Sequence, residues 1–133
     1  MFEISKELTF DSGHRLSKHN GKCFHLHGHT YKAEVTLRGN TLHEVGYLID
    51  FTDVKELLKE ITDRLDHKTL LFKDDKLNQE IYNVAPEHCI LLDFEPTAEN
   101  IAKYLYGEMK IKFPFVSQVK VWETPSAYAV YQG

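Results

Sequence analysis

The sequence predicts an α+β domain in which a four-stranded antiparallel sheet carries two helices on one face. Three observations point there. Two stretches near the start alternate apolar and polar residues, two middle stretches repeat apolar residues at helical spacing, and two more alternating stretches close the chain. With 133 residues, the chain fits one domain spanning 1–133.

The first strand is FEISKELTF, where Phe2, Ile4, Leu8 and Phe10 share a face and Lys6 is the exception. A polar loop, DSGHRLSKHNGK (11–22), is expected next. The second strand runs from about His29 to Arg38, with Tyr31, Ala33, Val35 and Leu37 on one face and Lys32, Glu34, Thr36 and Arg38 on the other. After YLIDF, Thr52 or Asp53 is expected to cap a helix, with Glu56 three residues beyond Asp53. Its apolar stripe is Val54, Leu57, Leu58, Ile61 and Leu65. The segment 73–94 reads as variable and partly extended. Thr97, after Pro96, caps a second helix with Ile101, Ala102, Leu105 and Met109 as its stripe. SQVKVWE and SAYAVYQ are the last two strands, separated near Pro125.

Composition excludes several classes of function. Hydrophobic residues make up 42%, a globular value. No apolar run approaches the ~18 residues that span a membrane, and MFEISKELTF lacks the basic-then-apolar pattern of a secretory signal. The net charge of −4, with Lys and Arg scattered, offers no footprint for nucleic acid. Two cysteines without an export signal suggest free thiols in a reducing cytoplasm, although a Cys23–Cys89 pairing is not excluded.

The stretch CFHLHGHTY concentrates Cys23, His25, His27 and His29 in a chain of eight histidines and two cysteines. Neutral imidazole is a favoured zinc ligand. Two apart on a strand, His27 and His29 aim both rings at one point on the face of Tyr31 and Val35. A single straight strand cannot close a tetrahedral shell, so a third ligand must come from elsewhere, and His14, just past the first strand, is the leading candidate. Three protein nitrogens leave one position open, the catalytic pattern. Lacking a Cβ, Gly28 lets something approach the backbone between the two ligands. His25 reads either as a ligand by parity or as a solvated loop residue. Cys23 reads as a fourth ligand of a closed structural site, as an inert thiol, or as a proton-transfer group or nucleophile. His19, His43 and His88 read as surface residues.

Two carboxylates stand apart. Asp66 beside His67 in LDHK either orients and tunes the imidazole or marks a helix end. Glu123, in VKVWETPSA, shares the parity of Val119 and Val121; it either faces inward and needs donors, as from the two N–H groups of a pterin or guanine edge, or is an exposed strand end.

SGHRL, C-x3-HGH-x-Y, DF, LDHK, PTAEN and V-x-ET, in this order over about residues 2–132, resemble the 6-pyruvoyl-tetrahydropterin synthase / 6-carboxytetrahydropterin synthase family. The resemblance implies that His14, His27 and His29 bind zinc and that Cys23 is the catalytic cysteine. It implies further that Asp66 and His67 form a proton relay and that Glu123 anchors a pterin ring, while Thr97 and Glu99 help line the pocket. It also implies the tunnelling fold, in which strands join between subunits into a barrel, as a homohexamer with interfacial active sites. The three-residue spacer Phe24-His25-Leu26 is similar to the carboxytetrahydropterin branch, which serves queuosine and other 7-deazapurine synthesis; the pyruvoyl branch typically has a longer spacer. The implied reaction takes 7,8-dihydroneopterin triphosphate to 6-carboxytetrahydropterin. Pyruvoyl-tetrahydropterin synthesis and a non-enzymatic zinc-stabilised module are the rival readings. Segment 73–94 is longer than in compact bacterial members, and His25 adds an imidazole beside the expected site.

Overall fold

The computed structural model describes residues 1–19 and 21–133; Asn20, part of the expected loop, lies outside them. Strand β1 (Phe2–His14) pairs antiparallel with β2 (His27–Gly39), and β2 pairs antiparallel with β5 (Val116–Thr124), which turns back into β6 (Ala127–Tyr131). On the other side of β1 lie β3 (Lys68–Phe72) and then β4 (Cys89–Leu92), both parallel. The sheet therefore has six strands in the order β4-β3-β1-β2-β5-β6 and is mixed, not four-stranded and antiparallel. Three α-helices replace the expected two: α1 (Phe51–Asp63), α2 (Lys76–Val84) and α3 (Ala98–Lys112). The additions β3, α2 and β4 all come from the chain between the two expected helices. Their strands are four or five residues long, too short for a periodic signal to emerge.

Two boundaries differ from expectation for local reasons. Strand β1 continues through Asp11, Ser12, Gly13 and His14, residues that read as a loop, because thirteen consecutive residues pair with β2. Helix α1 is capped by Asp50, whose carboxylate accepts from Thr52 N at 2.8 Å, rather than by Thr52 or Asp53. The cap of α3 is Thr97, as expected, accepting from Asn100 N at 3.2 Å.

The core lies between one sheet face and helices α1 and α3. Phe10 of β1, Tyr31, Ala33, Val35 and Leu37 of β2, and Val119 and Val121 of β5 supply the sheet side. Val54, Leu58 and Ile61 of α1 and Ile101, Ala102, Leu105 and Met109 of α3 supply the helix side. Burying each Val, Leu, Ile, Phe or Met side chain among these contributes about 1.5–3 kcal/mol. The inward parity of β1 runs on from Phe10 to Ser12 and His14, both buried, so the core face leads without a break into the histidines. Among the described residues, no helix is long and apolar enough to cross a membrane.

Candidate metal centre and its surroundings

Register builds the cluster. His14 lies directly opposite His27, and Ser12 opposite His29. Facing residues of an antiparallel pair project to the same side, and diagonal neighbours remain within reach of long side chains. His14, His27 and His29 thus meet on the inner face, with ring centroids 4.5, 5.0 and 4.9 Å apart. One donor atom from each lies within 4.8 Å of the others, and the Cys23 thiol is not in that group.

The hydrogen bonds select the tautomers. Carbonyl oxygens only accept. His14 Nδ1 lies 2.8 Å from Pro96 O, and His27 Nδ1 lies 2.7 Å from His25 O, so each Nδ1 carries the hydrogen. The Tyr31 hydroxyl oxygen, 3.0 Å from His14 Nδ1, shares the first of these. Both Nε2 atoms then present lone pairs, and they face each other at 3.0 Å. His29 Nε2 is buried and has no hydrogen-bond partner among the described residues. Lone pairs aimed at one another repel unless a cation or proton lies between them. A tetrahedral zinc shell sets its nitrogen donors about 3.3 Å apart. The donor set therefore fits a divalent ion. Burial pushes the His14 and His29 imidazoles below their ordinary value, which keeps them neutral and able to ligate; the Pro96 hydrogen bond at His14 and the Glu123 charge at both oppose this shift.

Glu123 is half-buried at the end of β5, its Oε1 3.5 Å from His14 Nε2 and 3.7 Å from His29 Nε2. It faces the cluster, as its parity with Val119 and Val121 requires. A cleft of about 550 Å3 opens beside it, lined by Thr9, His29, Lys32, Trp122, Glu123 and Thr124.

Asp66 and His67 sit by the outward-facing Asp11. Asp66 Oδ1 accepts from Asp11 N at 2.8 Å, and its Oδ2 lies 2.9 Å from His67 Nδ1. Asp11 O in turn accepts from His67 N at 2.6 Å, holding His67 in the left-handed region at φ 58°. The Asp11 hydrogen bond, then His67, lower the Asp66 pKa; Asp66 raises that of His67. The His67 ring is exposed and borders a second cleft with Asp11, Gly13, Gly28, Thr30 and Lys68.

Cys23 is half-buried in a 3-10 turn, Lys22–Phe24. Thr97 is engaged in capping α3, and Glu99 is exposed in the first turn of that helix. The ring of His25 is exposed; what His25 gives the cluster is its carbonyl. Three contributors escaped sequence reasoning, the His25 carbonyl among them. The Pro96 carbonyl carries no side-chain signal, whereas Tyr31, marked by parity with the histidines, was legible only as a core residue.

A model of the 6-pyruvoyl tetrahydropterin synthase family matches residues 3–133. The chain belongs to that family. The 6-carboxy-5,6,7,8-tetrahydropterin synthase of Rickettsia conorii is 36% identical over 138 residues, covering 96% of this chain and 98% of the relative. The enzyme of the same name from Haemophilus influenzae is 36% identical, with 99% of each chain covered. The 6-pyruvoyl tetrahydrobiopterin synthase of Dictyostelium discoideum is 32% identical, covering 98% of this chain and 95% of the relative. Among solved structures, a Wolinella succinogenes protein superposes with TM-score 0.86 at 25% identity, covering 99% and 98% of the two chains. The 6-pyruvoyl tetrahydropterin synthase of Caenorhabditis elegans superposes with TM-score 0.75 at 24% identity, covering 99% and 95%. The fold of the chain is the α+β fold of this family, and the chain is an enzyme.

Proposed function

We propose that this chain is a zinc-dependent lyase that converts 7,8-dihydroneopterin triphosphate to 6-carboxy-5,6,7,8-tetrahydropterin, releasing acetaldehyde and triphosphate, in cytoplasmic queuosine and 7-deazapurine synthesis. The carrying observation is the convergence of three imidazoles whose Nε2 atoms lack hydrogens or partners. Relatives named 6-carboxy-5,6,7,8-tetrahydropterin synthase, at 36% identity over nearly full length, support a pterin substrate.

His14, His27 and His29 would hold the metal. Zinc, when bound, supplies a Lewis acid that stabilises negative charge developing on the substrate's side-chain oxygens. Cys23, as thiolate, removes a carbon-bound proton made acidic by conjugation with the pterin. Asp66 orients His67, which carries protons on the other side of the substrate as acid or relay. Glu123 holds the pterin ring in register, with Thr97 and Glu99 lining the pocket. Within one chain His67 lies by the outward-facing Asp11, in a cleft that His29 also borders, and we assign the relay serving each metal to a second copy. Strands β4 and β6 are the open edges through which copies join, as a homohexamer.

The test is the mass of the product from zinc-loaded protein and 7,8-dihydroneopterin triphosphate. A carboxy product with acetaldehyde supports the proposal. The Dictyostelium relative favours a second reading, and a pyruvoyl product would establish it. The assignment of Glu123 has its own check, because its carboxylate now rests against the metal-facing nitrogens. Glu123→Ala should weaken pterin binding more than zinc binding. If zinc binding falls more, Glu123 serves the metal, and the ring edge is held elsewhere, with Glu99 the remaining carboxylate of the set.

A further inference from the structure

The turn that carries Cys23 has no core packing of its own. Lys22–Phe24 buries no residue, lacks a side-chain cap, and is flanked by exposed Gly21 and His25. Its own hydrogen bonds, Phe24 N to Gly21 O and His25 N to Lys22 O, close the turn without attaching it to anything. Among the described residues, two contacts attach it. Leu16 N donates to Cys23 O at 2.9 Å, and the Arg15 guanidinium lies 4.4 Å from the centroid of the Phe24 ring. Both come from the residues that directly follow His14.

Arg15 is itself unusually fixed. Only 3% of it is exposed. Its Nη1 donates to Asp75 Oδ2 at 2.6 Å and to Asn78 Oδ1 at 2.9 Å. Asp75 caps α2 by accepting from Asn78 N at 3.0 Å, and the fully buried Asn78 donates from Nδ2 to Phe72 O at the end of β3. A continuous set of contacts thus runs from the sheet, through the first turn of α2, to the ring beside the thiol. A buried guanidinium needs such partners to be tolerated. Its flat face is what a neighbouring aromatic ring can use, which a lysine ammonium does not offer.

We infer that Arg15, held by Asp75 and Asn78 at the start of α2, is a positioning residue that fixes the Cys23 turn, through Phe24, relative to the neighbouring ligand His14. This inference rests on the proton-removing role proposed for Cys23, and it gives α2 a function. The helix braces the arginine, which sets the thiol at a constant place relative to the neighbouring ligand His14. Proton abstraction from carbon tolerates little misplacement of the base.

The test uses Phe24→Leu, at a 41% exposed position outside the core, with Phe24→Tyr as the conservative variant and Arg15→Lys as the complementary one. Three quantities are read on zinc-loaded protein: zinc stoichiometry, kcat and KM separately, and amide exchange over residues 22–26. Phe24→Leu and Arg15→Lys should each lower kcat about 10- to 100-fold with KM and zinc content unchanged. They should raise exchange in the turn about tenfold or more. Phe24→Tyr should restore both, and the double variant should be no worse than Arg15→Lys alone, since the Phe24 contact is already lost there. Unchanged exchange in the turn with either variant overturns the inference, as does a kcat loss that follows zinc loss. If the wild-type protein turns over no pterin, the proposed function fails, while the exchange measurement still decides whether Arg15 and Phe24 fix the turn.

Discussion

Replacing Tyr31 with phenylalanine isolates one hydrogen bond behind the metal centre. The ring is fully buried and stacked on Phe10 at 5.2 Å, so Phe keeps the packing and removes only the hydroxyl. That oxygen lies 3.0 Å from His14 Nδ1, where the Pro96 carbonyl at 2.8 Å remains as acceptor. Loss of a second-sphere partner typically weakens metal binding ~10- to 100-fold. With one acceptor left, the expected loss is nearer a single net hydrogen bond, about 1 kcal/mol, or roughly fivefold in zinc affinity. Competition with a chromogenic chelator measures the affinity. Melting with and without zinc gives an independent reading, because the zinc-induced rise should shrink by about 3–5 °C. Affinity unchanged within about twofold would show that the hydroxyl does not share the Nδ1 hydrogen. A loss beyond ~100-fold would show that the Pro96 carbonyl does not hold the ring and that the tautomer assignment is wrong.

Cys23→Ala should retain zinc and lose turnover by about 10²- to 10⁴-fold, read by metal analysis beside the product assay; loss of zinc instead would place the sulfur in the coordination shell. Asp66 raises the His67 pKa above its ordinary 6.5, so the imidazolium persists to higher pH. If that imidazolium is the acid, activity falls as pH rises through the raised value, and Asp66→Asn should move this limb to lower pH. Ring-proton NMR titration of His67 and the kcat profile should shift together, and an unmoved titration would refute the pairing. Thr97→Ala removes the cap of α3 and should cost about 1 kcal/mol, seen as a fall of roughly 3–5 °C in melting temperature.

The candidate site was legible where it depends on parity. His27, His29 and Glu123 sit on strands whose alternation with Tyr31, Val119 and Val121 places them inward, and the structure has them there. His14 was harder, because Asp11, Ser12 and Gly13 are poor strand formers and announce a turn. The pairing of Ser12 and Gly13 with His29 and Gly28 overrides them. Segment 73–94 was legible as partly extended, where β4 lies, but β3 and the parallel pairing were not, since that pairing is set by distant segments and leaves no local pattern. Nor could the carbonyls of His25 and Pro96, which act through main-chain atoms that every residue possesses. The cap and apolar stripe of helix α3 were legible, and its four stripe residues are all buried.

At one point the sheet is bare main chain. Gly13 faces Gly28 across the β1–β2 pair, between the rows that carry the imidazoles. A Cβ added at either would meet a carbonyl oxygen of the opposite strand at 3.4 Å. The wall there is a single peptide layer, with the imidazole cluster on one side and the His67 cleft, which His29 also borders, on the other. A charge gained on one side is separated from the other by little polarisable matter, so occupancy of the inner pocket should be readable as a change in the proton affinity of whatever titrates in the outer cleft.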